Sequence, residues 1–292
     1  MFSVICCSVR PEAAASLRRN IASTIGKGVE YEFIAFDNRR EHLPIATVYN
    51  RCAGRARQPY LCFIHEDAAF LTKDWGRILA PQLALPETGV VGFAGSIVKP
   101  ARLTAWNVCG RDMRANYVQH MRGRRHLHHR ADGNEGFTPV VTLDGFCLFV
   151  RREVWAQTPF DAEACPGFHG YDLDFTLAVA AGGHQNYVCQ TVTPEHRSEG
   201  NYSEAWLDDL RHLHRKWMPR LPLYVSPVAE ADLPAWNLRA ETGWLKLMMQ
   251  KGLFAACPLG AVWRHIARHP LSAKAWMLLP KYAKYRWRHR HH

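Results

Sequence analysis

The sequence predicts an α/β protein, a parallel, doubly wound sheet flanked by helices, followed by a helical C-terminal extension. Three observations predict it. Short apolar runs of strand length alternate with helix-length segments along residues 2–217, as parallel strands joined by crossover helices require. Polar and acidic residues stand at the carboxyl ends of those runs, where ligands bind in such sheets. Hydrophobic residues make up 48% of the 292-residue chain and charged residues 22%, enough apolar surface for one large packed domain or a domain with an appendage.

The elements follow in order. Phe2–Ser8 is an apolar run typical of a buried strand, and Pro11 then opens an Ala-rich helix to about Ile25, which Gly26 and Gly28 end. A second strand, 31–36, stops at Asp37-Asn38. A helix over 45–56 leads to a third strand, 60–64, which stops at His65-Glu66-Asp67. Further strands are expected at 90–94, 140–150 and 187–193, and helices at 171–181 and 203–217, with Gly182-Gly183 closing the first of these helices. Residues 99–139 are polar, basic and His-rich around Arg122–Arg130, and read as an exposed excursion, a mobile loop over the site.

The nine cysteines, at 6, 7, 52, 62, 109, 147, 165, 189 and 257, form no CxxC pair and several lie in apolar runs, so reduced, buried thiols and a cytoplasmic setting are expected. Neither a secretory leader nor a spanning helix is legible. The net charge of +11 is uneven: residues 220–292 hold 12 Lys and Arg against 3 Asp and Glu, which leaves only +2 for residues 1–219. A near-neutral body with acidic triplets is a poor match for a nucleic-acid-binding protein, and no nucleic-acid partner is expected.

Several motifs fall in order: Phe36-Asp37-Asn38, Phe63 to Asp67, Leu143-Asp144-Gly145 with Arg151-Arg152, Gly167 to Asp174, and His196 to Gly200 ahead of Lys216-Trp217. Together they make residues 1–218 resemble the glycosyltransferase-A (GT-A) fold, which implies a Rossmann-like mixed sheet flanked by helices, and within it the family-2-like group that includes the StrF-type domain. The resemblance implies a nucleotide-sugar donor, UDP-linked, a divalent metal (Mn²⁺ or Mg²⁺), and inverting transfer to an acceptor hydroxyl. The metal is expected because a nucleoside-diphosphate leaving group gathers negative charge that a hard cation offsets.

The same resemblance assigns roles. Asp67 matches the last carboxylate of the family's Asp-x-Asp metal site, while His65 replaces the first Asp and Glu66 partly substitutes for it. Asp37, with Asn38, matches the carboxylate that recognises uracil or ribose, and Ser8 neighbours the base. Asp172 matches the general base that opens the acceptor-side helix, with Tyr171 where the family has Glu, and its helix N-terminus favours the ionised form. Asp174, two residues on, orients the site or caps the helix. His196 heads His-x-Ser-x-Gly as a second metal ligand, and Asp144 lies beside the donor sugar or the acceptor. A charged turn or a helix cap accounts for most of these residues taken singly; their common order favours the site.

Two other readings remain open at this level. One is a nucleotidyltransferase on a related sheet, although the chain lacks a GxxxxGK[ST] loop. The other is nucleic-acid binding through the basic segment 122–130. The catalytic domain is expected over 1–219. The 220–292 extension, where aromatic and apolar residues mix with Lys and Arg, is expected either to lie on an anionic membrane surface or to pack on that domain. The acceptor is then a saccharide or a lipid-linked glycan, and the protein is peripheral on the cytoplasmic face.

Overall fold

A computed structural model of the chain describes all residues except 108–110, 134, 201, 227–229 and 291–292. The N-terminal half follows the alternation read above: β1 Phe2–Ser8, α1 Pro11–Thr24, β2 Tyr31–Asp37, α2 Ile45–Ala53, β3 Tyr60–Ile64, β4 Ala68–Phe70, α3 Trp75–Ala84 and β5 Thr88–Gly92. Next come β6 Ala94–Ser96, β7 Val98–Lys99, β8 Met113–Met121, β9 Arg124–Arg130, β10 Phe137–Val140, β11 Thr142–Leu143, β12 Cys147–Arg151 and α4 Arg152–Gln157. Then follow α5 Tyr171–Ala181, β13 Gln185–Cys189, β14 Pro194–His196, α6 Glu204–Trp217, β15 Leu223–Tyr224, α7 Leu233–Gln250, α8 Leu259–Arg268, α9 Ala273–Trp276 and α10 Leu278–Arg288.

The main sheet has seven strands in the order β10-β13-β5-β12-β3-β1-β2. Its β2-β1-β3 edge is parallel, β12 runs antiparallel to both β3 and β5, and β13 is parallel to β5, so the sheet is mixed. Alternation along β1 sends Val4 and Cys6 to one face and Ile5 to the other. On the first face lie Leu17 and Ile21 of α1 with Trp75 and Leu79 of α3; on the second lie Tyr49 of α2 and Phe175 of α5.

Two expectations change. The single strand expected over 140–150 is broken: β11 joins a second sheet, β11-β6-β8-β14-β4, and β12 joins the main one, so Asp144-Gly145 turns between the two sheets. The excursion over 99–139 contains a β8–β9 hairpin that pairs Ala115 with Arg130 and Met121 with Arg124. Its turn, Arg122-Gly123, has φ of 51° and 73°, the positive pair that a two-residue hairpin turn demands. β9 escapes a pattern reading because its charged and His side chains stay largely exposed, so backbone pairing rather than burial defines it. β4 and α3 also go unread, the latter with Pro81 inside it.

The chain beyond 220 does not hang free. β15 pairs with β7, and Trp244, Met248 and Met249 of α7 join Leu173 and Leu177 of α5 and Trp206 and Leu210 of α6 in a third core. Val262 and Ile266 of α8 and Leu278 of α10 complete it. Eight cysteines are free thiols, buried or half-buried, while Cys109 lies outside the described residues, as do the last two histidines.

Candidate active site

The strand ends at the carboxyl edge open into a cleft of about 610 Å³. Its floor comes from β3, the β11–β12 turn and the start of α5; its walls are Trp106, Phe168, Tyr202 and Trp206. Buried Lys99 holds the Trp106 loop, donating from Nζ to Thr104 O at 3.0 Å and Thr104 Oγ1 at 2.8 Å. Burial brings this lysine down to about 7. The 198–200 rim hangs from the hairpin: Gln119 Nε2 donates to Ser198 O at 3.0 Å and Arg122 N to Glu199 Oε1 at 2.6 Å.

At the end of β3, one ring nitrogen each of His65 and His196 and one oxygen of Asp67 lie within 4.8 Å of one another. His196 Nε2 is 3.5 Å from Asp67 Oδ1 and 3.0 Å from Ser198 Oγ, and its ring stacks on Phe146 at 4.8 Å. Burial alone would raise the Asp67 carboxyl, but His196, then His65 and Ser198, outweigh it and hold the group well below the usual carboxylate range. His65 Nε2 sits 2.8 Å from Tyr171 Oη, and that hydroxyl donates to Gly145 O at 3.0 Å. A carbonyl only accepts, so His65 donates from Nε2 and keeps its lone pair on Nδ1, the neutral form that ligates metals. Burial, reinforced by His196, brings His65 down to about 4. The two positions at which the chain departs from the family pattern, His65 and Tyr171, are thus bonded to each other.

Asp172 and Asp144 face the same floor. Gly145 N donates to Asp172 Oδ2 at 2.9 Å, and Phe146 N to Asp144 Oδ1 at 3.0 Å. Burial, and then the neighbouring Asp144, push Asp172 up to about 7. Burial also raises Asp144. Gly145 admits no side chain, because a Cβ there would meet the Tyr171 hydroxyl and, at 2.8 Å, Asp172 Cβ.

The other expected residues stand elsewhere or are engaged. Glu66 is a clamp: its oxygens accept from Ser8 Oγ at 2.7 Å, Val9 N at 3.1 Å and Arg10 N and Nε, each at 2.9 Å, tying β3 to the start of α1. Ser8 is thereby buried. Asn38 lines the cleft, but its amide closes a loop onto Leu43. Asp37 is exposed, paired with Arg39, which draws it down to about 2. Asp174 turns away from the cleft into a buried clamp with Trp217 Nε1 at 2.7 Å and Lys216 Nζ, so it joins α5 to α6 and touches no part of the floor. The aromatic walls Trp106, Tyr202 and Trp206 went unread, since aromatics scattered in polar loops and on an amphipathic helix carry no spacing.

The cleft lies beyond the strand ends of a mixed α/β sheet, where such folds bind ligands, and is floored by carboxylates beside a two-histidine, one-carboxylate cluster. The glycosyltransferase-like family model matches residues 3–207, and the chain belongs to that family. Curated proteins offer no matching relative. Solved structures with the same fold include GalNAc-T7 with UDP, GalNAc and Mn²⁺ (9% identity, TM-score 0.53), of which the chain covers 49% with 75% of its own length. S. aureus TarS 1-349 with UDP-GlcNAc matches at 13% identity and TM-score 0.51, over 99% of this chain and 91% of that one. The mannosyltransferase PcManGT from Pyrobaculum calidifontis, with GDP-Man and Mn²⁺, matches at 15% identity and TM-score 0.50, over 97% and 79%. The chain is a glycosyltransferase.

Proposed function

We propose that the enzyme moves a sugar from a UDP-linked donor to an acceptor hydroxyl with inversion, with a divalent metal in the cleft. The observation that carries this is the placement of Asp172 on the cleft floor, its carboxyl raised to about 7, across from the His65–Asp67–His196 cluster. A carboxylate tuned to neutral pH suits a general base that takes the acceptor's proton.

The cluster fits a metal: its donor atoms are close, Asp67 is held ionised, and the His65 tautomer is fixed by Tyr171. Asp67, His196 and His65 would hold the ion, an imidazole-rich set that favours Mn²⁺ over Mg²⁺. Bound there, the ion would offset charge on the departing diphosphate. Asp144 hydrogen-bonds the sugar, and the aromatic walls Trp106 and Tyr202 shed water from it. Asp37, with Asn38, contacts uracil or ribose once Arg39 yields. Supporting evidence for the donor class is the nucleotide or nucleotide sugar in each of the three structures named above.

The acceptor is a saccharide or lipid-linked glycan of a surface polysaccharide or glycolipid, used at the cytoplasmic face of a membrane. Among the described residues, no helix is long and apolar enough to cross one. Calorimetry with UDP and Mn²⁺, followed by a hydrolysis screen of nucleotide sugars, tests the reading. Metal-dependent UDP binding that Asp67→Ala weakens at least about tenfold is expected, with melting unchanged in the absence of metal apart from the lost His196 contact. UDP affinity indifferent to metal and to this substitution would remove the cluster from the site.

A further inference from the structure

The outer face of the C-terminal helices carries features that sugar transfer does not use. From residue 242 onward the chain holds ten Lys and Arg and no Asp or Glu. Among the described residues, the Arg268–Glu241 contact is the one ion pair these cations make. Apolar side chains crowd the same stretch. Leu271, in the α8–α9 turn, is 100% exposed, and Trp263 and Trp276 are 48% and 46% exposed. Met277 follows at 53%.

This patch is built rather than frayed. Trp263 and Trp276 meet edge to face with ring centroids 6.2 Å apart, and Trp276 Nε1 donates to Pro270 O at 2.8 Å, pinning the ring to the turn that carries Leu271. The opposite side of α8, Val262, His265 and Ile266, is buried. His265 Nε2 is hydrogen-bonded there to Thr242 Oγ1 at 2.9 Å, and its Nδ1 lies 3.1 Å from Glu241 Oε2. The helix is therefore a fixed platform that presents two tryptophans and a protruding leucine together, with exposed cations on the same helices.

We propose that this face of α8 and α9 seats the enzyme on an anionic lipid bilayer. Indole rings with one polar edge settle at headgroup level, an exposed Leu at a turn reaches the acyl boundary, and Lys and Arg meet lipid phosphates. Arg264, next to Trp263, and Lys274, two residues before Trp276, are exposed on the two helices. A nucleic acid would use the charge, but has no use for a fully exposed aliphatic tip. The proposal deepens the membrane part of the function proposed above and needs nothing from its donor chemistry.

Co-sedimentation of the full chain with phosphatidylglycerol and with phosphatidylcholine vesicles tests it. Binding is expected to phosphatidylglycerol alone, and to fall as salt rises from about 0.05 to about 0.5 M. Combining Trp263→Ala, Leu271→Asp and Trp276→Ala should lower partitioning at least about tenfold while melting and UDP binding persist. If that combination unfolds, Leu271→Asp alone, at a position with no packing to lose, should still weaken binding several-fold. Arg264→Glu with Lys274→Glu should weaken it as well and flatten the salt dependence. Equal binding to both vesicles, none at low salt, preference for single-stranded DNA over vesicles, or full binding by Leu271→Asp would each overturn it. Vesicle binding lost with donor hydrolysis intact leaves the transferase reading standing, and hydrolysis absent with vesicle binding intact leaves the membrane surface standing.

Discussion

Asp172 shows how one side chain's surroundings set its chemistry. Its folded-state pKa is raised to about 7 by burial and by Asp144, so the ionised, base-competent form grows as pH climbs. The acceptor-transfer rate should therefore rise with pH along a limb centred near 7, read from kcat/KM profiles. Asp172→Asn should keep UDP binding and lose transfer by about a hundredfold or more, which single-turnover assays with saturating donor measure. The same substitution carries a stability sign. A carboxyl whose folded pKa exceeds its unfolded value of about 3.9 costs stability progressively between about pH 4 and 7, and fully above 7. Thermal melts should accordingly show the Asn variant gaining on the wild type across that window and holding its gain at pH 8. Neither the raised pKa nor the Tyr171 bond that sets the His65 tautomer is legible from residue identity, because both depend on neighbours distant in sequence.

Whole elements decide which expected residues reach the site. Asp172 and Asp174 open the same helix, yet two residues on a helix point about 200° apart, so one meets the cleft and the other meets α6. Trp217 and Lys216 occupy both oxygens of Asp174, which is 1% exposed. Asp174→Ala should cost about 1–3 kcal/mol in denaturant unfolding, since it strands a buried indole N–H and leaves Lys216 with Asp161 as its remaining carboxylate, while leaving UDP affinity unchanged. A matching loss of UDP affinity in the folded variant would return Asp174 to the active site. The β11–β12 turn makes a parallel case. It passes from one sheet to the other with no room for a Cβ at position 145, so Gly145→Ala should displace Tyr171 and Asp172 and reduce turnover more than it reduces stability.

At the scale of the molecule, α7 to α10 are bound into the body through a shared core. Removing them would uncover Leu173, Leu177, Trp206 and Leu210, each buried now. With roughly 1.5–3 kcal/mol at stake per large apolar side chain, a truncation ending near residue 220 should aggregate or melt well below the full chain, in scattering and calorimetry. A truncation that stays monomeric with an unchanged melting temperature would show the extension to be separable.

Local chemistry was enough to read most elements of the first half and the strand ends where chemistry gathers, while the grouping of Asp67, Asp172 and His196, which all line the cleft, came from the resemblance of their motifs to a family. Strand and helix periods and loop carboxylates are properties of short stretches of chain. Tertiary structure alone decided that Glu66 and Asp174 commit their carboxylates to Arg10 and Lys216, and that His65 and Tyr171 bond across more than a hundred residues. It also decided that β9, without an apolar face, is a strand, and that the basic extension shares a core with α5 and α6. The reason is physical: a polar side chain's role is set by the partner nearest to it in space, and a strand held by backbone pairing leaves no hydrophobic period in its residues.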